Sequence, residues 1–432
     1  MAPVTESGRL RAGDLVRVQC QEMAHRGLGV GRLGGFVLFL FGALPGEDVS
    51  ARVTKVRRRH AFADTVEVHQ ASTQRVSPPC PYFGSCGGCQ LQHAAYPLQL
   101  ESKREVLRGA LIRAGVELPE AVELRAAEQP WRYRWRGEFH RSQTGPPLGF
   151  KERSGYRVIG VEDCLIHHPT ITGALAAVGM ALRGGQPAVQ TVQLTVGDSG
   201  GQLLLETRPD RSASLDTAVA AAPRLSGMVS VTDEATSLRY RDREFRVFPD
   251  SFIQVNQPSL GVLYETVIEF LGSTAGRHVV DAYGGSGVLS LRLVDQGARV
   301  TVIESNPIAA RLAQLHGEMY GEDRLGVVCG AVEAELPRVE PAAAVVLDPP
   351  RAGLGAELRD WLAEQGPPVL VYLSCEVSAL ARDLTALCRI GPYRLERLRL
   401  IDMFPQTYHF ETVVLLRRDR DRGSRAISDT EP

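Results

Sequence analysis

The sequence predicts an α/β protein with three parts: a doubly wound, Rossmann-like domain towards its C-terminal end, a small OB-like β-barrel at its start, and a mixed α+β region between them. Three observations predict it. From about Ser251 helical patterns alternate with short apolar strands, the order that builds a parallel sheet with helices on its faces. Residues 10–70 run instead as short apolar segments broken by glycine turns, the spacing of a small closed barrel. Between the two, helical stretches mix with hairpin patterns. The expected parts are residues 1–72, 73–250 and 251–418, followed by a charged tail, 419–432, whose composition predicts disorder.

The barrel strands read as D-L-V-R-V-Q-C, G-V-G-R-L-G-G-F-V-L-F-L and G-E-D-V-S-A-R-V-T-K-V. Their exit, Lys55 to Ala63 (K-V-R-R-R-H-A-F-A), is basic with an aromatic close by. A solvated charged strand accounts for it, and so does a barrel edge that touches RNA. In the middle region, L-E-S-K-R-E-V-L-R-G-A-L-I-R-A-G predicts a helix. T-V-Q-L-T-V-G-D-S-G-G-Q-L-L-L-E-T predicts a hairpin around a glycine-rich turn. P-W-R-Y-R-W-R-G-E-F-H-R, residues 130–141, interleaves arginines with aromatics. As a strand it would put Arg132, Arg134 and Arg136 on one face and Trp131, Tyr133 and Trp135 on the other. The arginine face would then be free for phosphates while the rings enter the core.

Cysteine placement is uneven. Of eight in the chain, C-P-Y-F-G-S-C-G-G-C packs Cys80, Cys86 and Cys89 into one loop, and Cys164 follows in V-E-D-C-L-I-H-H-P. Eight cysteines are too few for a disulfide scaffold at this length, so the cluster points to metal. Three clustered thiols with one distant thiol suit a [4Fe–4S] cluster better than the paired knuckles of a zinc ribbon. His167 and His168 beside Cys164 keep zinc open.

The net charge of -1 does not announce a nucleic-acid partner by itself. The chain starts without an apolar leader, and its greasiest run, Phe36 to Leu44, is far too short for a bilayer. A cytoplasmic protein without a membrane partner is expected, and a monomer.

H-V-V-D-A-Y-G-G-S-G-V-L-S-L-R-L reads as strand, glycine loop, helix, with Gly284, Gly285 and Gly287 letting a ligand approach the helix start. A-R-V-T-V-I-E-S-N follows as a second strand ending on Glu304, where an acid can hold ribose hydroxyls. NAD is the runner-up, although the loop lacks G-x-G-x-x-G. Asp348-Pro349-Pro350 then leaves a later strand at the edge where open α/β sheets bind ligands. V-L-V-Y-L-S-C, residues 369–375, is the next strand, so Cys375 should emerge at the same edge. Cysteine is a common core residue, yet a thiol there can also be a nucleophile. Downstream, Glu411 stands just before a final apolar strand.

In these motifs the chain resembles S-adenosylmethionine-dependent RNA 5-methyluridine methyltransferases, over nearly all of its length. The residues that carry the likeness are F-I-Q-V-N (Phe252 to Asn256), D-A-Y-G-G-S-G, V-I-E, L-D-P-P-R-A-G, Y-L-S-C, A-L-A-R-D-L and D-M-F-P-Q-T-Y-H-F-E. The resemblance implies a class I methyltransferase domain, Cys375 as nucleophile and Glu411 as base. Cofactor contacts would come from Gln254, Tyr283, Glu304 and Asp348. Carbon 5 of uracil is a poor nucleophile; a thiolate added at carbon 6 makes an enolate able to take the methyl group, after which a base removes the carbon 5 proton. The cysteine loop with Cys164 resembles the branch that carries a [4Fe–4S] cluster, and residues 10–70 resemble its TRAM domain, an OB-type RNA binder. Together they imply 23S ribosomal RNA as partner more than transfer RNA. A non-catalytic RNA-binding or assembly factor of the same fold is the alternative. Its motive is a departure from the family pattern: Glu376-Val377 stand where Asn-Pro usually follows S-C, and a carboxylate beside a thiol opposes its ionisation. Gly284 replaces a common cysteine and Val288 a frequent polar residue.

Overall fold

A computed structural model describes residues 10–183, 189–197, 203–208, 228–230, 236–248, 251–321 and 323–419. The tail predicted to be disordered lies outside the described residues apart from its first. The chain forms two compact units: one from residues up to 107 with 150–159 and 404–409, the other from 108–149, 160–403 and the chain from 410.

In the first unit β1 (Leu15–Ala24), β2 (Leu28–Leu33), β3 (Phe36–Phe41), β4 (Asp48–Val56) and β5 (His60–Gln70) close into a barrel in the order β1-β2-β3-β5-β4. Alternation makes the inside: Val16, Val18 and Cys20 of β1 point inward with Leu38, Leu40, Val49 and Ala51. Gly31 is needed where two strands crowd, since a Cβ there would stand 2.5 Å from Val18. The basic turn is solvent-facing, with Lys55, Arg57, Arg58 and Arg59 all exposed. Buried Glu47 ties the barrel to the segment after it, accepting from Leu44 N (2.8 Å) and Ser72 N (3.1 Å) and pairing with Arg75 (2.6 Å).

Helix α1 (Tyr96–Arg113) covers the helical stretch read from the sequence. There follow β6 (Val122–Arg125), β7 (Arg136–Arg141), β8 (Leu148–Lys151), β9 (Val158–Gly160), α2 (Pro169–Arg183), β10 (Thr191–Val196), β11 (Leu203–Arg208) and β12 (Met228–Ser230). The predicted hairpin is β10–β11, antiparallel from Thr191↔Arg208 to Val196↔Leu203, its turn outside the described residues. One expectation is corrected here. Residues 131–135 are not a strand: Arg132 has φ 58 and β7 begins only at Arg136. Arg132 is spent on Asp163 (2.6 Å), and Arg136 on Thr195 (2.7 Å) and the Ser251 carbonyl. Tyr133 does enter the core. The three guanidiniums therefore do not form one free face.

After the hairpin β13 (Thr236–Tyr240) and β14 (Arg243–Val247) come α3 (Gln257–Leu271), β15 (His278–Ala282), α4 (Val288–Asp295), β16 (Arg299–Glu304), α5 (Pro307–Met319), β17 (Leu325–Cys329), α6 (Val332–Glu335), β18 (Ala344–Leu347), α7 (Ala356–Gln365), β19 (Val369–Ser374), α8 (Val377–Leu384), β20 (Tyr393–Ile401) and β21 (Glu411–Arg418). The sheet runs β17-β16-β15-β18-β19-β21-β20-β6. Strands β15 to β19 are mutually parallel; the central β15, β18 and β19 are buried along their whole length, while β17 at the sheet edge is half-buried to exposed. Strand order reverses between β15 and β18, the place where such sheets bind ligands beyond their carboxyl ends. Strand β21 is antiparallel to β19, so its amino end lies at that same edge. Arg399, 2 % exposed, holds β20 to Glu123 of β6 and to Glu269 of α3 (2.7 Å).

Candidate active site

Side chains from four strands meet at this edge. Cys375 directly follows β19 and Glu411 opens β21. Ser374 pairs with Thr412 across the antiparallel ladder, so the next step of register sets Cys375 against Glu411. Burial pushes the Cys375 thiol up to about 11; the charge of Glu411 adds to this, Arg351 opposes it and Asp348 adds slightly. Burial likewise lifts Glu411 well above the usual carboxylate range, with Asp348 reinforcing and Arg351 opposing. Asp348, next after β18, rises to about 7 through burial and the charge of Asp281. Asp281 inside β15 rises to about 6 through burial, although Ser290 donates a hydrogen bond to it. The positive charge of Arg351 thus bears on both the Cys375 thiol and the Glu411 carboxyl group.

The glycine loop sits beside them. Tyr283 leaves β15 with φ 63 and its hydroxyl donates to Glu333 Oε1 at 2.8 Å. Glu304 closes β16; its Oε2 accepts from Gly285 N (3.0 Å) and its Oε1 from Asn306 N (2.7 Å), stapling the loop to the second strand. Gly287, at φ 78, starts α4 in a conformation that disfavours a side chain. Gln254 is half-buried and is linked to the edge through its neighbours. Val255 O accepts from Trp135 N (2.8 Å), while buried Asn256 caps α3 through Ser259 N (3.1 Å) and donates Nδ2 to Met403 O (3.0 Å) just past β20.

Glu376 has a local task. It is the N-cap of α8, accepting from Ser378 N (3.4 Å) and Ser378 Oγ (2.9 Å). Asn-Pro at these two positions would do the same work, Asn as cap and Pro as first helical residue.

The loop after Asp348 is clamped. Asp383 accepts from Leu354 N (2.9 Å) and Tyr372 OH (2.8 Å), and Arg382 Nη2 donates to Ala352 O (2.7 Å). A Cβ at Gly353 would stand 2.4 Å from Asp383. This accounts for A-R-D-L: the pair clamps the turn, residues 352–354, that directly follows Arg351. In the sequence Arg351 is visible only as part of L-D-P-P-R-A-G, with no task of its own. Its fixed offset from Asp348 was the available signal.

A family model described as tRNA (Uracil-5-)-methyltransferase matches residues 339–419, and one described as TRAM domain matches residues 9–66. An uncharacterized RNA methyltransferase of Thermosynechococcus vestitus is 30% identical, over 94% of this chain and 98% of its own. The 23S rRNA (uracil(1939)-C(5))-methyltransferase RlmD of Shewanella amazonensis is 30% identical, over 93% of this chain and 95% of its own. The chain belongs to the RNA uracil-5-methyltransferase family. For the fold, this methyltransferase resembles the Pyrococcus abyssi tRNA (uracil-54, C5)-methyltransferase solved with S-adenosyl-L-homocysteine: TM-score 0.72 at 23% identity, covering 93% of this chain and 100% of that one. The barrel at the start of the methyltransferase is the part matched by the TRAM model.

Of the proposed metal ligands, Cys80, Cys86 and Cys89 belong to the first unit, each half-buried and outside any disulfide; Cys164 belongs to the second, its Sγ 3.1 Å from His167 Nδ1. Burial raises the Cys86 thiol, and the nearby Cys80 adds to it. The donors are chemically suited to a soft metal, but among the described residues no group of three or more Cys, His, Asp or Glu side chains is gathered closely enough to hold an ion. Among the described residues no helix is long and apolar enough to cross a membrane.

Proposed function

We propose that this methyltransferase moves a methyl group from S-adenosylmethionine to carbon 5 of a uridine in 23S ribosomal RNA, by way of a covalent bond from Cys375 to carbon 6 of the base. The observation that carries this reading is the antiparallel register that sets Cys375 against Glu411 beside Asp348 and Arg351. Bound S-adenosylmethionine supplies an electrophilic methyl on a positively charged sulfur. Gln254, Tyr283, Glu304 and Asp348 would hold it, and the raised proton affinities of Asp281 and Asp348 mark a pocket that favours a cation.

Cys375 loses its proton to solvent, helped by the positive charge of Arg351, and its sulfur adds to carbon 6. The electron pair displaced onto the ring makes carbon 5 the nucleophile that takes the methyl group. Glu411, as carboxylate, then removes the carbon 5 proton, and the carbon–sulfur bond breaks to release Cys375. A carboxyl group raised by burial is a stronger base than an exposed one. A buried target base has to leave its stack to reach the sulfur.

In this reading residues 1–72 and 73–250 recognise RNA and 251–418 carry the chemistry, in the cytoplasm where ribosomal RNA is modified. The name of the Shewanella relative supports ribosomal RNA. The likeness to the Pyrococcus enzyme favours transfer RNA as the second reading. Mapping 5-methyluridine in 23S and transfer RNA from cells with and without the gene decides. One position lost from 23S RNA is expected; loss confined to transfer RNA moves the reading there, and no loss overturns both. The non-catalytic alternative loses its motive once Glu376 is a helix cap. The sequence spacing also supports Cys80, Cys86, Cys89 and Cys164 as [4Fe–4S] ligands, with zinc the alternative; metal content and electron paramagnetic resonance of anaerobically purified protein test it, and no step above passes through it.

A further inference from the structure

Helix α5 touches two parts of the second unit that the reaction does not connect. Ala313 packs against the glycine loop, where a Cβ on Gly287 would stand 3.1 Å from its methyl. One turn on, His316 is fully buried and uses both ring nitrogens: Nδ1 lies 2.8 Å from Ser286 O of the glycine loop, and Nε2 lies 2.9 Å from Arg246 N of β14. A carbonyl only accepts and a backbone N–H only donates. Nδ1 must therefore carry the proton and Nε2 must be bare. The partners fix a single tautomer.

The rest of the contact is built around this ring. Phe245 meets it edge-on, ring centroids 5.2 Å apart. Tyr320, a turn further, accepts from Glu244 N (2.5 Å) and donates to Glu244 O (2.8 Å). Arg243 lies over the Tyr320 ring and pairs with Asp295 at 2.5 Å. Strand β14 leads on to Phe248, whose amide donates to Ser251 Oγ (3.0 Å), and then to the F-I-Q-V-N segment. Tyr320 and Arg243 thus also dock the hairpin, and His316 in addition reaches the glycine loop.

We propose that His316 is a positioning residue, a bridge with one fixed tautomer that holds the glycine loop against β14 and so keeps the cofactor side of the site in register with Phe252–Asn256. The cofactor part of this claim rests on the function proposed above. Burial and the neighbouring Arg246 charge both hold the imidazole neutral, as the bridge requires.

The test uses the full-length protein without ligand, with 15N-labelled histidine. At neutral pH the His316 resonances should report a protonated Nδ1 and a bare Nε2; the opposite tautomer, or a mixture, overturns the bridge. His316→Phe keeps the ring against Phe245 but has no hydrogen bond to give. It should speed exchange of the Arg246 amide at least roughly tenfold and weaken S-adenosylmethionine binding by calorimetry roughly tenfold, the scale of one buried hydrogen bond. His316→Gln, which can donate and accept, should stay within about threefold of wild type in both. In turnover the Phe variant should raise the KM for S-adenosylmethionine more than it lowers kcat; an equal fall in every parameter, or wild-type exchange and affinity, overturns the proposal. Should His316→Phe fail to fold, the wild-type tautomer and the Gln variant still decide. If wild-type protein does not bind S-adenosylmethionine, the cofactor reading fails, while tautomer and amide exchange judge the bridge on their own.

Discussion

Two regions ask cysteine to meet partners, and only one of them has a ladder to do it. At the carboxyl edge, Cys375 and Glu411 are far apart in the chain, yet six consecutive residue pairs from Val369↔Arg417 to Ser374↔Thr412 fix where each strand ends. In the first unit Cys80, Cys86 and Cys89 are close in sequence but lie in a loop whose geometry depends on successive turns. Sheet register is a cooperative constraint, since slipping it by one residue moves every side chain of the strand to the opposite face and breaks its fitted packing at once. A loop has no such penalty. Proximity in sequence is thus a poorer guide to convergence than membership of neighbouring strands.

The sharpest way to break this comparison is to exchange sulfur for oxygen in both regions. Cys375→Ser is expected to abolish turnover, a fall of at least about 10⁴-fold in kcat, and to remove the covalent adduct with 5-fluorouridine RNA seen on denaturing gels. Cys86→Ser should keep turnover and adduct alike. Equal losses in the two variants would place the loop in the reaction.

Arg351→Gln comes next. It removes a cation that lowers the proton affinity of both Cys375 and Glu411. We expect kcat/KM to fall by about 10²-fold. The pH profile should move too. With the thiol at about 11, wild-type kcat/KM should climb between about pH 7 and 10 as thiolate accumulates. In the variant that rise should shift to higher pH. A profile flat in wild type would mean that the thiol ionises otherwise than its surroundings dictate.

Glu411→Gln separates function from stability at the same edge. Folding raises the Glu411 carboxyl above its ordinary value, so the folded state holds the proton more tightly than the unfolded one. Its contribution is fully present below the unfolded value and is lost as pH rises towards the folded one. Charging it at pH 8 therefore costs stability, and a neutral amide of the same shape does not carry that cost. Glu411→Gln should lose turnover yet melt higher than wild type at pH 8, by about 2 °C or more, with the gap closing near pH 4. Scanning calorimetry at the two pH values checks the sign.

The comparison also explains what the sequence made legible. The parallel sheet, the barrel and the edge positions of Asp348 and Cys375 follow from apolar period, glycine spacing and the two prolines, which act locally. The W-R-Y-R-W-R stretch misled because alternation alone cannot see a partner such as Asp163, and that pairing accompanies Arg132 at φ 58 instead of extended. Arg351 was in view but silent: the turn that follows it is clamped by Arg382 and Asp383 on a separate helix, and the groups it acts on lie on other strands. His316 was illegible for the same reason, since both its partners belong to other elements.

The smallest expected effect concerns Glu376. If a carboxylate next to the nucleophile opposed its ionisation, removing it would raise activity; if it only caps α8, removing it would cost stability and leave chemistry alone. The hydrogen bonds to Ser378 N and Ser378 Oγ direct the side chain to the helix start, and a negative charge is favourable there. Glu376→Ala is therefore expected to destabilise the protein by about 1 kcal/mol in urea unfolding, with kcat/KM within about threefold of wild type. Glu376→Asn should recover the lost stability, because the shorter amide is the better cap. A rise in kcat/KM of tenfold for the alanine variant, together with an earlier alkaline limb, would instead make Glu376 a brake on Cys375 and reopen the case for an enzyme whose chemistry has been tuned down.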